Sequence, residues 1–289
     1  MMDLMEEKDY PALFVAADEA SITAQNKFFL YLRSYLIILI LAALVAFQWP
    51  DYQFGAIASA VLFLVTLFLL VAMKIDKPDE TWYNARALAE SVKTTSWRLM
   101  MRAKPYQEDN SEQVFIQYLK DILSQNCNLS SVIPVDNDTK VAITERMSQI
   151  RGLNFEKRKE FYLKKRIEDQ QKWYSNKSQI NKKNGEKWFW FSIILHALAI
   201  FLLLLRIKAY TYQFPIEVIS TIASAVLVWL QAKKYNELSV VYAHTAHEIA
   251  LIISEATSVT DDDKFSNYVV NSENAFSREH TQWYAKKVS

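Results

Sequence analysis

Glycine and cysteine are scarce in this chain. Three glycines stand in 289 residues, Gly55, Gly152 and Gly185, and no two are close together. Phosphate-cradling loops and dinucleotide fingerprints need several glycines within a few residues, so both are excluded. Three glycines and six prolines also supply too few turns for an all-β fold. One cysteine, Cys127, excludes an intrachain disulfide and a cysteine-based metal site. That fits soluble parts in a reducing compartment. Excess charge of one sign is missing too. Lys and Arg number 33 against 32 Asp and Glu, net +1, so nothing draws the chain as a whole to nucleic acid or an acidic partner. No nucleophile motif such as G-x-S-x-G occurs, which argues against an enzyme, and no cofactor is implied.

What the chain has is two apolar blocks, residues 28–73 and 188–232, separated by a polar stretch rich in Lys and Arg. A spanning helix needs about 20 mostly apolar residues. Residues 54–73, FGAIASAVLFLVTLFLLVAM, meet this without a charge. Residues 188–205 follow suit and are closed by Arg206; residues 214–232 carry one acid, Glu217. Residues 35–49 are short, but residues 28–32 extend them past Arg33, whose side chain can snorkel to the headgroups. A signal peptide is the rival reading of this first segment. It fails because the start, MMDLMEEKD, is acidic and the apolar stretch begins late. Trp49, Tyr52, Trp188, Trp190, Tyr210 and Tyr212 sit at the ends of the spans, as an aromatic belt does.

Orientation follows from the basic flanks. The turn over 50–53 has none, and the turn after the third span has Arg206 and Lys208. Lys74, Lys77, Lys182, Lys183, Lys187, Lys233 and Lys234 all flank the long segments. The positive-inside rule then places the long segments and both termini of this multi-pass chain in the cytosol. The expected fold is an all-α membrane protein: four transmembrane helices in two parallel-repeat hairpins, with a cytosolic helical bundle. Two domains are expected, residues 1–130 and 131–289, each a two-span hairpin with its own cytosolic helices.

The hexapeptide IASAVL occurs at 57–62 and again at 222–227, a spacing of 165 that also links Glu90 to Glu255. YQF occurs at 52–54 and 212–214, a spacing of 160. Duplication needs a five-residue insertion between these matches; chance reuse of apolar residues stays open as the other reading. Outside the spans, a helix is expected from Pro78 until Pro105 ends it. A second is expected over 111–126, with Val114, Tyr118, Leu119, Ile122 and Leu123 on one face, then a loop over 126–138. Residues 146–188 read as a long charged helix with a thin stripe of Phe155, Tyr162, Ile167, Tyr174 and Ile180, broken at Gly152 or Gly185. Residues 235–259 read as helix, followed by a polar tail with an amphipathic piece near 276–284.

DETWYNARALAESVKTTSWRLMMRAKPY, directly after a two-span hairpin, resembles the SLATT family, two-transmembrane effector domains that associate with SMODS and SLOG proteins. Arg151, Arg158, Tyr162, Arg166, Asp169-Gln170, Trp173-Tyr174 and Lys177, leading through a hairpin into KKYNELSVVYAHTAHEIALI, resemble a second copy. No enzymatic or nucleotide-binding domain accompanies them, a departure from fused members. The resemblance implies a non-enzymatic membrane effector that oligomerises and permeabilises the bacterial inner membrane in nucleotide-signalled antiviral defence. Its implied partners are the lipid bilayer, further copies of itself, and a nucleotide signal or a signal-sensing protein; no nucleic acid is expected. A regulated ion channel and a membrane scaffold that recruits a cytosolic partner are the alternatives.

Two sets of residues stand out. Trp82, Tyr83, Arg86 and Glu90, with Lys93, Trp97 and Arg98, lie just after the second span, and Arg86 and Glu90 are spaced for an i, i+4 pair. With Arg166, Asp169, Trp173 and Tyr174 of the second copy they form either a switch between hairpins or an interfacial anchor with a stabilising ion pair. Ser59 and Thr66 in the second span, and Glu217, Ser220 and Ser224 in the fourth, line a pore or mediate helix packing. His244, His247 and Glu248 have metal-ligand spacing on a helix but no fourth ligand in view, so no metal is expected. His196 reads as a helix-to-helix hydrogen-bond partner. The Lys/Arg cluster over 157–187 reads as a solvated, ion-paired face, with Lys182, Lys183 and Lys187 the best placed for lipid.

Overall fold

The computed structural model describes residues 5–129, 132–133, 141–208 and 213–288, with side chains as far as 277 apart from that of Lys208. Tyr210 and Tyr212 of the aromatic belt, most of the loop expected over 126–138, and the side chains of the amphipathic piece from 278 onward lie outside the described residues. Among the described residues the structure is helical throughout, without strands. Ten α-helices follow in order: α1 (Ala12–Gln48), α2 (Gln53–Asp76), α3 (Pro78–Met100), α4 (Ser111–Gln125), α5 (Glu145–Arg151), α6 (Phe155–Tyr162), α7 (Glu168–Lys208), α8 (Ile216–Lys233), α9 (Tyr235–Glu255) and α10 (Asp262–Val288). Four stretches of helix are long and apolar enough to cross a membrane, and they contain α1, α2, α7 and α8. The architecture is the all-α membrane fold that the hydropathy implied.

The chain forms two compact units. The first comprises Met1–Gln25, Asp79–Lys177 and Val241–Ser289. Its core draws on Phe14 and Ala17 of α1, Leu88, Val92 and Trp97 of α3, Phe115 of α4, Ile150 of α5, Ile249 of α9, and Phe265, Val269 and Phe276 of α10. Helix α3 starts as its sequence dictates, with Pro78 in the first position and Asp79 and Glu80 in the first turn, where the helix dipole favours acids. It stops at Met100, five residues before Pro105. Arg102 takes a left-handed φ of 53°, Ala103 N–H donates to Arg98 O at 2.9 Å and Arg102 N–H to Leu99 O at 3.2 Å, a Schellman closure.

Two other expectations are corrected, and an open one is settled. The buried face of α4 is Ser111, Phe115 and Leu119, so Tyr118 and Leu123 are exposed. The long charged helix breaks at Gly152 and not at Gly185. Thr144 and Asn154 cap the helices on either side of that break through their side chains. The polar tail is instead the core helix α10, whose Phe265, Tyr268, Val269, Ser272, Glu273 and Phe276 recur at helical spacing and are buried.

The second unit comprises Asn26–Pro78 and Ser178–Val240. Leu195 of α7 packs with Ile219, Ala223 and Val226 of α8. Helices α2 and α8 end alike, at Lys77 (φ 43°) and Lys234 (φ 49°), and each left-handed lysine returns its N–H to the carbonyl four residues back. Two glycines permit close approach here. A Cβ on Gly55 would lie 2.3 Å from Trp49 O in the α1–α2 turn, and one on Gly185 would lie 2.5 Å from Asn236 Oδ1. The first obstacle is backbone and the second is the end of a flexible side chain. Gly55→Ala is therefore expected to cost about 1–3 kcal/mol. Gly185→Ala should cost less, and thermal unfolding of the detergent-solubilised protein reads the difference.

Candidate functional site: a buried arginine–glutamate pair beside a charged cleft

Between α6 and α7 the backbone widens into a π turn, Leu163–Ile167. Such turns shift the register of the side chains that follow and are frequent at functional sites. Arg166 lies in this turn and points inward. Its Nε donates to Glu273 Oε1 at 3.0 Å and its Nη2 to Glu273 Oε2 at 2.7 Å, a bidentate fork. Tyr162 Oη donates to the same Oε1 at 2.9 Å. Arg166 is 2% exposed and Glu273 0%. The guanidinium also lies 5.7 Å from the Trp97 ring centroid and 5.0 Å from that of Phe276. Burial works against the charged guanidinium, but the Glu273 carboxylate and its hydrogen bonds outweigh burial and hold the arginine firmly protonated. Burial, reinforced by the Glu273 charge, pushes the Tyr162 phenol well up.

A cleft of about 180 Å³ opens beside this pair. Helix α1 and its approach contribute Tyr10, Phe14 and Asp18; α3 contributes Arg86, Glu90, Lys93 and Trp97; the π turn and α7 contribute Lys165, Arg166, Asp169 and Gln170. Arg86 Nη1 donates to Asp18 Oδ1 at 3.1 Å and its Nη2 reaches Glu90 Oε1 at 2.7 Å. Trp97 Nε1 donates to Tyr10 Oη at 3.0 Å. Lys93 sits 5.9 Å from the Tyr10 ring centroid and 5.7 Å from that of Phe14. Burial pushes its ammonium down; the Glu90 charge opposes that shift, and the Arg166 and Arg86 charges add to it.

Of the residues read as a switch or anchor, the cleft collects Arg86, Glu90, Lys93, Trp97, Arg166 and Asp169. Trp82 and Tyr83 stack on each other nearer the start of α3, with centroids 4.7 Å apart. Trp173 and Tyr174 meet Tyr242 of α9 at 5.5 and 5.7 Å. Asp18 and Glu273 were missed, and Tyr162 was read as part of an apolar stripe and of the second motif, not as a hydrogen-bond partner of a buried acid. The signal for Glu273 was its place on a helical apolar stripe with Phe265, Val269 and Phe276. The basic cluster also needs correcting: Arg158 and Arg166 are buried and not solvated. Arg158 is held by Asp262 and by Met101 O at 3.0 Å, and Lys159 donates to Val259 O at 2.6 Å. Lys164 and Glu160 do form the exposed kind of pair, at 2.7 Å.

The membrane set divides. Ser59 Oγ donates to Ala42 O of α1 at 3.4 Å, and buried Thr66 returns its hydroxyl to Phe63 O of its own helix at 2.7 Å. Glu217, Ser220 and Ser224 lie together on the exposed side of α8, opposite Ile219, Ala223 and Val226. Glu217 is 3.9 Å from Arg206. His196 Nδ1 pairs with Ser192 O of its own helix at 2.7 Å, not with a neighbouring helix. His244 and Glu248 pair at 3.6 Å, and no group of three or more metal-ligating side chains occurs among the described residues.

Residues 11–159 match the model of the SMODS and SLOG-associating 2TM effector domain 3, and residues 162–283 match that of the SMODS and SLOG-associating 2TM effector domain 1. The chain belongs to the SLATT family. It carries two SLATT domains in tandem, and it is a multi-pass membrane protein of a family of membrane effector domains linked to defence systems. No curated protein and no solved structure matches it. The seam between the two SLATT domains falls in α6. Tyr162, Arg166 and Glu273 therefore belong to the second domain, while Asp18, Arg86, Glu90, Lys93 and Trp97 belong to the first. Both domains line one cleft.

Removing Glu273 strands a buried guanidinium, so Glu273→Ala is expected to cost about 3–5 kcal/mol. Arg166→Met combined with Glu273→Leu should recover most of it in the same denaturation assay. Lys93 behaves in the opposite way. Its proton is held more weakly in the fold than in the unfolded chain, so stability rises with pH between the lowered value and the ordinary lysine value. Lys93→Met, which removes the buried charge, is expected to raise the melting temperature at neutral pH and to flatten that rise.

Proposed function

We propose that this SLATT protein is a non-enzymatic effector that assembles as a homo-oligomer and permeabilises the bacterial inner membrane. Its setting is antiviral defence, with a nucleotide signal or a signal-sensing partner acting on the first unit. The observation that carries this reading is the outer surface of the spanning helices. Only 6% of the most apolar window around α2 is buried within the chain. On α8, Glu217, Ser220 and Ser224 form an exposed polar stripe. Polar groups in hydrocarbon normally face a bundle interior or water, so a stripe facing outward from one chain is supplied with a polar neighbour by further copies. Lysines 74, 77, 182, 183, 187, 233 and 234 flank the long segments, which supports a cytosolic placement of the first unit and of both termini.

Induced expression of the full chain together with its trigger is expected to collapse the membrane potential, read with a potential-sensitive dye. An intact potential with the trigger present would sink the reading. Ser220→Leu with Ser224→Leu leaves the buried face of α8 untouched; it should keep the protein in the membrane while cutting depolarisation severalfold. Flux without toxicity would indicate the regulated-channel alternative. A stable co-purifying cytosolic protein without conductance would indicate the scaffold.

A further inference from the structure

At one end of the second unit the positive charge is only partly matched. Lys27 pairs with Asp76 at 2.7 Å, and Tyr31 Oη donates to the same carboxylate at 2.6 Å. Arg33 and Lys233 have no such acid among the described residues. Both instead lie against one indole: Arg33 Cζ is 5.3 Å and Lys233 Nζ 5.1 Å from the Trp229 ring centroid. Lys233 is also 3.4 Å from the Phe29 centroid. Phe29 and Trp188 pack on that indole at 5.8 and 6.3 Å and fix its position. The Trp229 Nε1–H is buried and donates to no acceptor among the described residues.

Ring faces attract cations but leave their charge uncompensated. Two like charges are thus gathered at one aromatic platform with an unused N–H donor in the same ring. Such a group of donors lacks an anion. Its depth in the sequence says which anion. Arg33 stands at the approach to the apolar stretch of α1, and Lys233 is the last residue of α8. These are headgroup positions, where the anion on offer is phosphate. The arginine fork matches two phosphate oxygens and the lysine adds a point charge.

We propose that Arg33, Lys233 and Trp229 form a binding site for the phosphate of an anionic phospholipid. The site is separate from the charged cleft and does not depend on the chain permeabilising a membrane. The test uses the full chain in detergent with three probes: phosphatidylglycerol, phosphatidylcholine and inorganic phosphate. Melting temperature and lipid retention in native mass spectrometry are the readouts. Phosphatidylglycerol is expected to stabilise the protein and remain bound, phosphatidylcholine to do so less, and inorganic phosphate not at all. Arg33→Gln and Lys233→Gln should each weaken retention roughly fivefold. Trp229→Phe, which keeps a ring but removes the N–H, should weaken it by less. Lys182→Gln, Lys183→Gln and Lys187→Gln together remove more charge yet should leave the lipid-induced shift in place. Comparing folded variants by helical circular dichroism separates loss of lipid from loss of fold. The proposal is overturned if folded Arg33→Gln/Lys233→Gln retains phosphatidylglycerol as the parent does, or if phosphatidylcholine binds equally. It is also overturned if inorganic phosphate alone gives the shift, since the ligand is then free phosphate and not lipid.

Discussion

The first unit depends on a charge pair that is costly to bury. Removing Arg166 and Glu273 from water costs several kcal/mol per ion, and only near-ideal geometry offsets it. Here the fork is bidentate, Tyr162 adds a third hydrogen bond, and two aromatic rings lie against the guanidinium. A pair of leucines would stabilise a bundle as well. What the ions add is selectivity, because α10 rotated or slid by a turn would bury an unmatched charge. The same logic extends along α6, where Arg158 is held by Asp262 and Lys159 by Val259 O. Arg158 and Lys159 of α6 thereby fix the start of the last helix and the segment just before it, and Arg166 fixes its middle.

That register matters because the two SLATT domains do not have separate cores. Trp97 of the first lies 5.8 Å from Tyr162 of the second, and its indole donates to Tyr10 while Arg166 stacks on its ring. The first domain supplies the Trp97 ring; the second supplies the Phe276 ring, Tyr162 and the ion pair itself. A change at the cleft therefore acts on groups from both domains at once, and neither can repack alone without exposing a charge.

Much of this architecture was legible. Four spans follow from runs such as 54–73, because a bilayer leaves a spanning segment no other composition. The start of α3 follows from Pro78 and two acids, and the family from the motif around Trp82 and Arg98. The ion pair was not legible. Arg166 sits in a Lys/Arg-rich run where a solvated face is the sensible reading, and Glu273 lies 107 residues away in a stretch that reads as polar. A π turn has no composition of its own, so nothing local announced that Arg166 would turn inward. The end of α3 at Met100 was hidden too, since Arg102 in a left-handed conformation looks like any other helix residue.

The repeated hexapeptide shows how far such reading can go in the membrane. IASAVL at 57–62 leaves Ile57 and Val61 more than half exposed and ties Ser59 to Ala42 O. The same six residues at 222–227 bury Ala223, Ala225 and Val226 and turn Ser224 outward. Identical sequence thus presents opposite faces. In water this would be improbable, because an amphipathic stripe fixes which side of a helix is buried. In lipid the surrounding tails are as apolar as the helix interface, so hydrophobicity does not choose between faces and packing against neighbours does. The two hairpins have different neighbours along the chain and settle in different rotations. A duplicated span is accordingly free to specialise without changing its residues: one copy is closed on a partner helix within the chain, and the other holds its serines toward whatever lies beyond it.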